Sequence, residues 1–281
     1  VAMLVPEALR KAAADLSATS DTARLDAEYL LADALGLTRS QLLLSGASGP
    51  VPERFWEAVE RRKAHEPLAY ILGHEDFYGR NFRVSPDVLI PRSDSESVVG
   101  AALALQGSKG RVLDCGVGSG ALLLTIMAEN RGASGVGIDR SAGALAIAQH
   151  NAEALGLGGQ VTLLERDWSM PGWQNGLGLF TCIIANPPYV EDNAPLDASV
   201  REYEPAGALF SGPEGLDDYR LLIPQLDALL SNDGQIVLEI GASQAEGVAK
   251  IAEEAGYRSQ LTHDLAGRPR ALVLSRKGLS Q

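Results

Sequence analysis

Four short segments carry residue types that chemistry uses and core packing alone does not. Asn186-Pro187-Pro188-Tyr189 ends the apolar run "CIIA" with a polar amide and an aromatic ring on a double-proline turn. Each proline fixes its own φ, lacks an N–H and biases the preceding residue toward an extended form, so the carbonyls of this turn are held in place. A second apolar run leads into Asp114-Cys115-Gly116-Val117-Gly118-Ser119-Gly120, and "ALLLTIMAE" follows it. Glycines at this spacing let the main chain turn tightly and let a ligand approach it, while the following helix N-terminus adds donors. The third segment holds Asp139 in "GVGIDRS", a carboxylate that can accept both hydroxyls of a ribose or cap the helix behind it. The fourth is Asp167-Trp168 in "LLERDWS", an acid beside a ring that can border a flat base. With Ala121 as its last position the glycine run also satisfies the looser G-x-G-x-x-[GA] fingerprint, so a nicotinamide dinucleotide is an open alternative at this point.

These segments work together only if a scaffold brings their strand ends to one edge. From residue 111 the chain alternates short apolar runs ("RVLDCG", "GVGID", "VTLLERD", "FTCIIANPP", "QIVLEIG") with helical stretches such as "GALAIAQHNAEALG" and "DDYRLLIPQLDALLS". That alternation predicts a doubly wound α/β domain, a mostly parallel sheet covered on both faces, with ligands at the carboxyl edge. The last two strands, "YRSQLTHDL" and "ALVLSRK", are joined only through "AGRPR". A parallel crossover needs a longer connection, so the final strand is expected to run antiparallel.

Ahead of the sheet the pattern differs. Residues 5–66 are rich in Ala, Leu, Glu and Arg, with apolar positions at three- and four-residue intervals, which predicts a small helical bundle. Thr38, Gly49-Pro50 and Pro52 mark its helix boundaries, and "ERRKAHE" reads as a solvated mixed-charge face. "EDFYGRNFRVSPDVLIP" places aromatic and branched residues on both sides of Gly79 and again before Pro91, the grammar of a β-hairpin. The expected domains are a helical unit over 1–75, a hairpin linker over 76–92 and an α/β domain over 93–281.

Composition bounds the partners. The chain of 281 residues is 46% hydrophobic with a net charge of −12, and its pI is near 4.8. That balance opposes a long phosphate-tracking surface, so direct nucleic-acid binding is not expected. No apolar stretch has the length of a membrane span, and Cys115 and Cys182 form no disulfide or redox pattern, which suits the cytoplasm. His65, His74, His150 and His263 show no ligand spacing, so no metal is expected.

Together the glycine run, Asp139 and Asn186-Pro187-Pro188-Tyr189 resemble the S-adenosylmethionine (SAM) pocket and amino-methylating motif of Rossmann-like methyltransferases. "EPLAYILGHEDFYG", "VLIPRSDSE", "VREYEP" and the N-terminal bundle are similar to the HemK/PrmC family of peptide chain release factor glutamine methyltransferases, over almost the whole chain from about residue 20. One departure is Ser93, where the family usually has a second proline in Pro-Arg-Pro-Asp/Glu-Thr-Glu. The resemblance implies a seven-stranded sheet, SAM as methyl donor, and the glutamine of the Gly-Gly-Gln loop of class I release factors as substrate; a monomer is expected. It implies that Asp114, Gly116, Val117, Gly118, Ser119, Gly120, Asp139, Asp167, Trp168 and Asn186 surround the cofactor. Asn186, Pro187, Pro188 and Tyr189 hold the substrate, with the Asn186 side-chain oxygen and the Pro187 carbonyl accepting the two amide N–H bonds and Tyr189 walling the flat amide. A base amino-methyltransferase is the alternative, because an exocyclic base nitrogen presents the same conjugated NH₂.

Overall fold

The computed structural model describes residues 3–44, 50–105, 110–264 and 266–278. Their contacts separate into two units, one built from 1–74 with 196–203, the other from 75–195 with 204–281.

In the first unit, α1 (Val5–Leu16), α2 (Ala23–Leu35), α3 (Arg39–Leu44), α4 (Glu53–Lys63) and α5 (Leu68–Leu72) form the bundle. Val5, Ala8, Leu9, Ala12 and Leu16 follow the three-and-four spacing of one helix face and are buried against residues such as Leu31, Phe55 and Val59. Thr38 bounds α3 by reciprocal capping: its hydroxyl accepts the Gln41 N–H at 3.1 Å and the Gln41 side chain accepts the Thr38 N–H at 2.8 Å. Pro52 stands just before α4, whereas Gly49 lies outside the described residues. The expected solvated face over "ERRKAHE" is only partly so. Lys63 pairs with exposed Glu60, but Arg62 turns inward to buried Asp26 at 2.7 Å. Asp26 is already held by Ser20 and Thr22, both at 2.8 Å, and a buried carboxylate needs a cation as well as neutral donors. A later helix, α9 (Ala198–Tyr203), belongs to this unit too, and its Tyr203 hydroxyl donates to the Ala64 carbonyl at 2.6 Å.

The second unit begins with the hairpin β1 (His74–Phe77) and β2 (Arg80–Arg83). Pairing was expected as far as Pro91 but stops at Arg83, and Pro86, which has no N–H to donate, follows closely. Beyond it come α6 (Glu96–Leu105), β3 (Arg111–Cys115), α7 (Ala121–Glu129), β4 (Ser134–Asp139), α8 (Ala142–Ala154), β5 (Val161–Glu165), β6 (Phe180–Ala185), α10 (Asp217–Leu222), β7 (Leu230–Glu239), α11 (Ala245–Glu254), β8 (Tyr257–His263) and β9 (Pro269–Arg276). The sheet order is β5-β4-β3-β6-β7-β9-β8. β5 through β7 are parallel; β9 inserts between β7 and β8 and is antiparallel to both, as the short connection requires. "DDYRLLIPQLDALLS" is not one α-helix: it changes to a 3₁₀ helix at Ile223–Leu229, because Pro224 cannot donate to the α-helical ladder.

Successive strand residues face opposite sides, which splits the core into two layers. Leu113, Cys115, Ile183, Ala185 and Leu238 pack on the side of α10 and α11, while Val112, Cys182, Ile184 and Val237 pack on the side of α6, α7 and α8. The register then sets the site. Cys115 pairs with Ile138 and with Ala185, and Ala185 pairs with Leu238. The next residue on each strand is therefore level across four neighbours: Asp139, Gly116, Asn186 and Glu239.

Candidate active site

A cavity of about 310 Å³ opens at this carboxyl edge. Gly116, Val117, Gly118 and Ser119 form its floor, Asp139 and Asp167 with Trp168 one side, and Asn186 with Pro188 the far end. Asp114, Gly120, Pro187 and Tyr189 do not line it. Asp114 is 1% exposed and sits behind the loop; Gly120 starts α7; Pro187 and Tyr189 continue the turn beyond Asn186.

The glycine loop has its form for steric reasons. Gly116 (φ 84°), Gly118 (φ 52°) and Gly120 (φ 84°) all occupy the left-handed region that side chains disfavour. A Cβ at Gly116 would lie 3.3 Å from the Trp168 ring, and one at Gly120 would lie 2.7 Å from Leu124. Buried Asn151 on α8 steadies the loop by donating to the Ser119 carbonyl at 2.8 Å while bonding both main-chain groups of Arg83.

Asp139 accepts the Gly118 N–H at 3.0 Å with one oxygen and the Ser141 N–H at 2.9 Å with the other. Each carboxylate oxygen has a second acceptor site, so both can still take a hydroxyl. Capping of α8 falls to Ser141, whose side chain accepts the Ala144 N–H at 3.1 Å. Asp167 is held below the usual carboxylate range by the Ser169 hydroxyl and N–H. Trp168 is fixed from behind, its indole N–H donating to Asp218 at 3.1 Å and Asp218 in turn accepting the Ser211 hydroxyl at 2.7 Å. Asp114 has neither oxygen hydrogen-bonded by a described residue. Burial, with the Asp139 charge second, pushes its pKa up to about 8.

At the far end, the Asn186 amide is half-buried, lines the cavity and makes no hydrogen bond with a described residue. The turn after it is clamped. Gln244 donates to the Tyr189 carbonyl at 2.9 Å, Val190 donates to the Leu209 carbonyl at 2.8 Å, and the Tyr189 hydroxyl faces Glu239.

Several lining groups lie outside the expected site residues. Residues 86–92 form a wall, as do Arg140 and the stretch Pro205, Gly207 and Ala208. Buried Glu204 joins the two stretches by accepting the Ile90 N–H at 3.2 Å and pairing with Arg92, while Arg140 donates to the Gly207 carbonyl at 2.7 Å. The quoted segments "VLIPRSDSE" and "VREYEP" contain Arg92 and Glu204, but no spacing rule links residues that far apart in the chain.

The residues fit a nucleoside joined to a small charged group. The floor admits main-chain approach, Asp139 retains free acceptor sites beside it, and an unengaged amide stands at the opposite end. Among the described residues no cluster could hold a metal ion, and no helix is long and apolar enough to cross a membrane.

Known proteins are similar to this chain over both of its units. The PrmC N-terminal domain model matches residues 7–73, and the methyltransferase small domain model matches residues 97–203. A release factor glutamine methyltransferase of Moorella thermoacetica is 41% identical over 98% of this chain and 99% of its own length. One from Rhodospirillum rubrum is 40% identical over 90% of this chain and 79% of its own length. A methyltransferase structure from Pyrococcus furiosus shares the fold with a TM-score of 0.52, at 16% identity, over 78% of this chain and 96% of that one. With these likenesses spanning both units, the chain belongs to the release factor glutamine methyltransferase family.

Proposed function

We propose that the protein transfers the methyl group of S-adenosylmethionine to the side-chain amide nitrogen of the glutamine in the Gly-Gly-Gln loop of class I peptide chain release factors, in the cytoplasm and without a metal. The observation that carries this reading is the position of Asn186: its unengaged amide is level with Gly116 and Asp139 at one end of the cavity. Asp139 would take the ribose hydroxyls, the glycine loop the close main-chain approach, and Asp167 with Trp168 the base. When bound, the cofactor supplies an electrophilic methyl on a sulfonium whose charge is lost on transfer.

The residues of the turn deal with the other reactant. An amide nitrogen is a poor nucleophile because its lone pair is delocalised, the same resonance that gives the peptide bond a rotation barrier of about 18–20 kcal/mol. Two fixed acceptors can hold its two N–H bonds and leave the lone pair facing the methyl. The Asn186 side-chain oxygen is one and the Pro187 carbonyl the other, kept in place by the two prolines. Tyr189, which does not line the cofactor cavity itself, walls the amide where it approaches Asn186. The helical unit docks the release factor, since a glutamine on a loop needs its carrier held in register.

The test is incubation with SAM and a purified class I release factor, followed by mass spectrometry of the Gly-Gly-Gln peptide. A single added methyl on that glutamine is expected. An unmodified peptide, with methylated RNA or DNA in a parallel reaction, would overturn the reading.

A further inference from the structure

Glu239 is a charged residue in the run Ile236-Val237-Leu238-Glu239-Ile240, at the end of a central strand and level with Asn186. It is 1% exposed, as buried as its apolar neighbours. One carboxylate oxygen lies 3.4 Å from the Tyr189 hydroxyl; the other has no hydrogen-bond partner among the described residues. Burial pushes its pKa up to about 7, against the pull of the Ser95 hydroxyl and Arg270. Arg270 does not neutralise it outright, being paired with Asp94 at 2.8 Å and facing Asp264 at 3.8 Å. A carboxylate placed this way burdens the fold, because an unpaired buried acceptor loses its hydration without compensation. Packing therefore does not account for it.

Besides the Ser95 hydroxyl, what the Glu239 carboxylate meets is the Tyr189 hydroxyl. That residue is held at two ends: Gln244 binds its carbonyl at 2.9 Å, and Glu239 faces its hydroxyl. The strand end carrying Glu239 is itself tied down, since the Tyr219 hydroxyl donates to the Glu239 carbonyl at 2.7 Å. Burial, with the Glu239 charge second, drives the Tyr189 phenol pKa upward, so the hydroxyl stays a donor.

We propose that Glu239 is a positioning residue for methyl transfer: by accepting the Tyr189 hydroxyl it fixes the ring beside Asn186 in the orientation that walls the substrate amide. This rests on the reading of Asn186 to Tyr189 as the amide site. Glu239 is not required as a base, because an amide protonated on nitrogen is a strong acid that water deprotonates. Nor does the role depend on its charge. Ionised or protonated, the side chain presents an acceptor oxygen to the phenol.

Two variants separate this role from a structural one. Glu239→Met keeps the length but removes the acceptor and the unpartnered oxygen; it should melt no lower than wild type yet turn over release factor about ten- to a hundredfold more slowly. Glu239→Gln keeps an acceptor and should recover most of the rate. Tyr189→Phe and Glu239→Met combined should be little slower than the slower single variant, since both remove one contact. SAM affinity should stay within about twofold throughout. Wild-type turnover in Glu239→Met, a Gln variant as slow as Met, or multiplicative losses in the double variant would overturn the proposal, and if Met does not fold the Gln rate decides. Asn186→Ala, measured alongside, keeps the outcomes apart. A fast Asn186→Ala enzyme sinks the amide-site reading, whereas a slow one beside a fast Glu239→Met enzyme sinks only this inference.

Discussion

The two halves of the carboxyl edge are built on opposite plans. On the β3–β4 side, backbone geometry does the work: a loop with three glycines in left-handed conformations puts Gly116 and Gly118 in the floor, and Asp139 is satisfied by two main-chain N–H groups. On the β6–β7 side, side chains do it: Asn186 lines the cavity with no hydrogen bond to a described residue, two prolines stiffen the turn, and Gln244 and Glu239 hold the Tyr189 residue from behind. The first plan gives a shape into which a ligand settles. The second offers directed acceptors, which the proposed amide substrate needs to hold its nitrogen in one orientation. Damage to the first half should therefore appear as lost affinity, and damage to the second as lost turnover.

Asn186→Ala should show the largest effect. Removing the acceptor lets the substrate NH₂ rotate, so turnover should fall by about a hundredfold or more, while SAM affinity measured by calorimetry changes far less. Asn186→Asp, which keeps an acceptor of the same size but adds charge, should retain part of the rate. Equal losses in affinity and turnover would erase the division between the halves.

Gly116→Ala tests the other half. The added Cβ would lie 3.3 Å from the Trp168 ring in a backbone conformation of φ 84°. A left-handed conformation costs a side chain about 1–2 kcal/mol, so SAM affinity should fall by about tenfold, with turnover at saturating SAM nearly preserved. Unchanged SAM affinity would mean that the loop is a turn and not a floor.

Much of this division was legible in the chain because both plans leave local marks. Glycines at 116, 118 and 120 and prolines at 187 and 188 restrict the backbone whatever surrounds them, and strand periodicity placed both at one sheet edge. The parts that were not legible depend on distant partners. Asn151 reads as an ordinary polar position in a helix, yet it ties the loop to β2. Arg62 looks like one charge in a solvated run until Asp26 is seen buried beside it. Glu239, which interrupts an apolar strand, and Pro224, which interrupts a helical period, are visible in the chain but name no partner by themselves. Residues 196–203 pack with the bundle, a return across more than a hundred positions that periodicity cannot reveal.

A smaller effect is expected from Asp218→Ala. Asp218 does not line the cavity itself; it holds the Trp168 indole, which does, at 3.1 Å. Freeing the ring should weaken SAM binding by a few-fold and blunt the tryptophan fluorescence change on SAM addition, with turnover at saturation intact. A large loss of turnover instead would put Trp168 on the transfer side of the site and blur the contrast between the halves.

The smallest effect on activity, and the sharpest on stability, should come from Asp114→Asn. Asp114 is in the same sheet layer as the Val112 side chain, behind the glycine floor, with no hydrogen-bond partner for either oxygen among the described residues. Its pKa rises from 3.8 to about 8 in the folded protein, through burial first and the Asp139 charge second. Between those values the folded chain keeps a proton that the unfolded chain has released, so stability falls as pH rises across that window and levels off above it. Asparagine carries no such proton and removes this slope. The melting temperature of Asp114→Asn should therefore pull ahead of wild type steadily from about pH 4 to about pH 8 and keep a constant lead beyond, while SAM affinity at pH 7 changes by less than about threefold. A melting difference independent of pH would show that the Asp114 carboxyl is ionised and stabilised in the fold. A large loss of SAM affinity would show that the floor depends on the carboxylate beneath it, and that the backbone plan of this half is not self-sufficient.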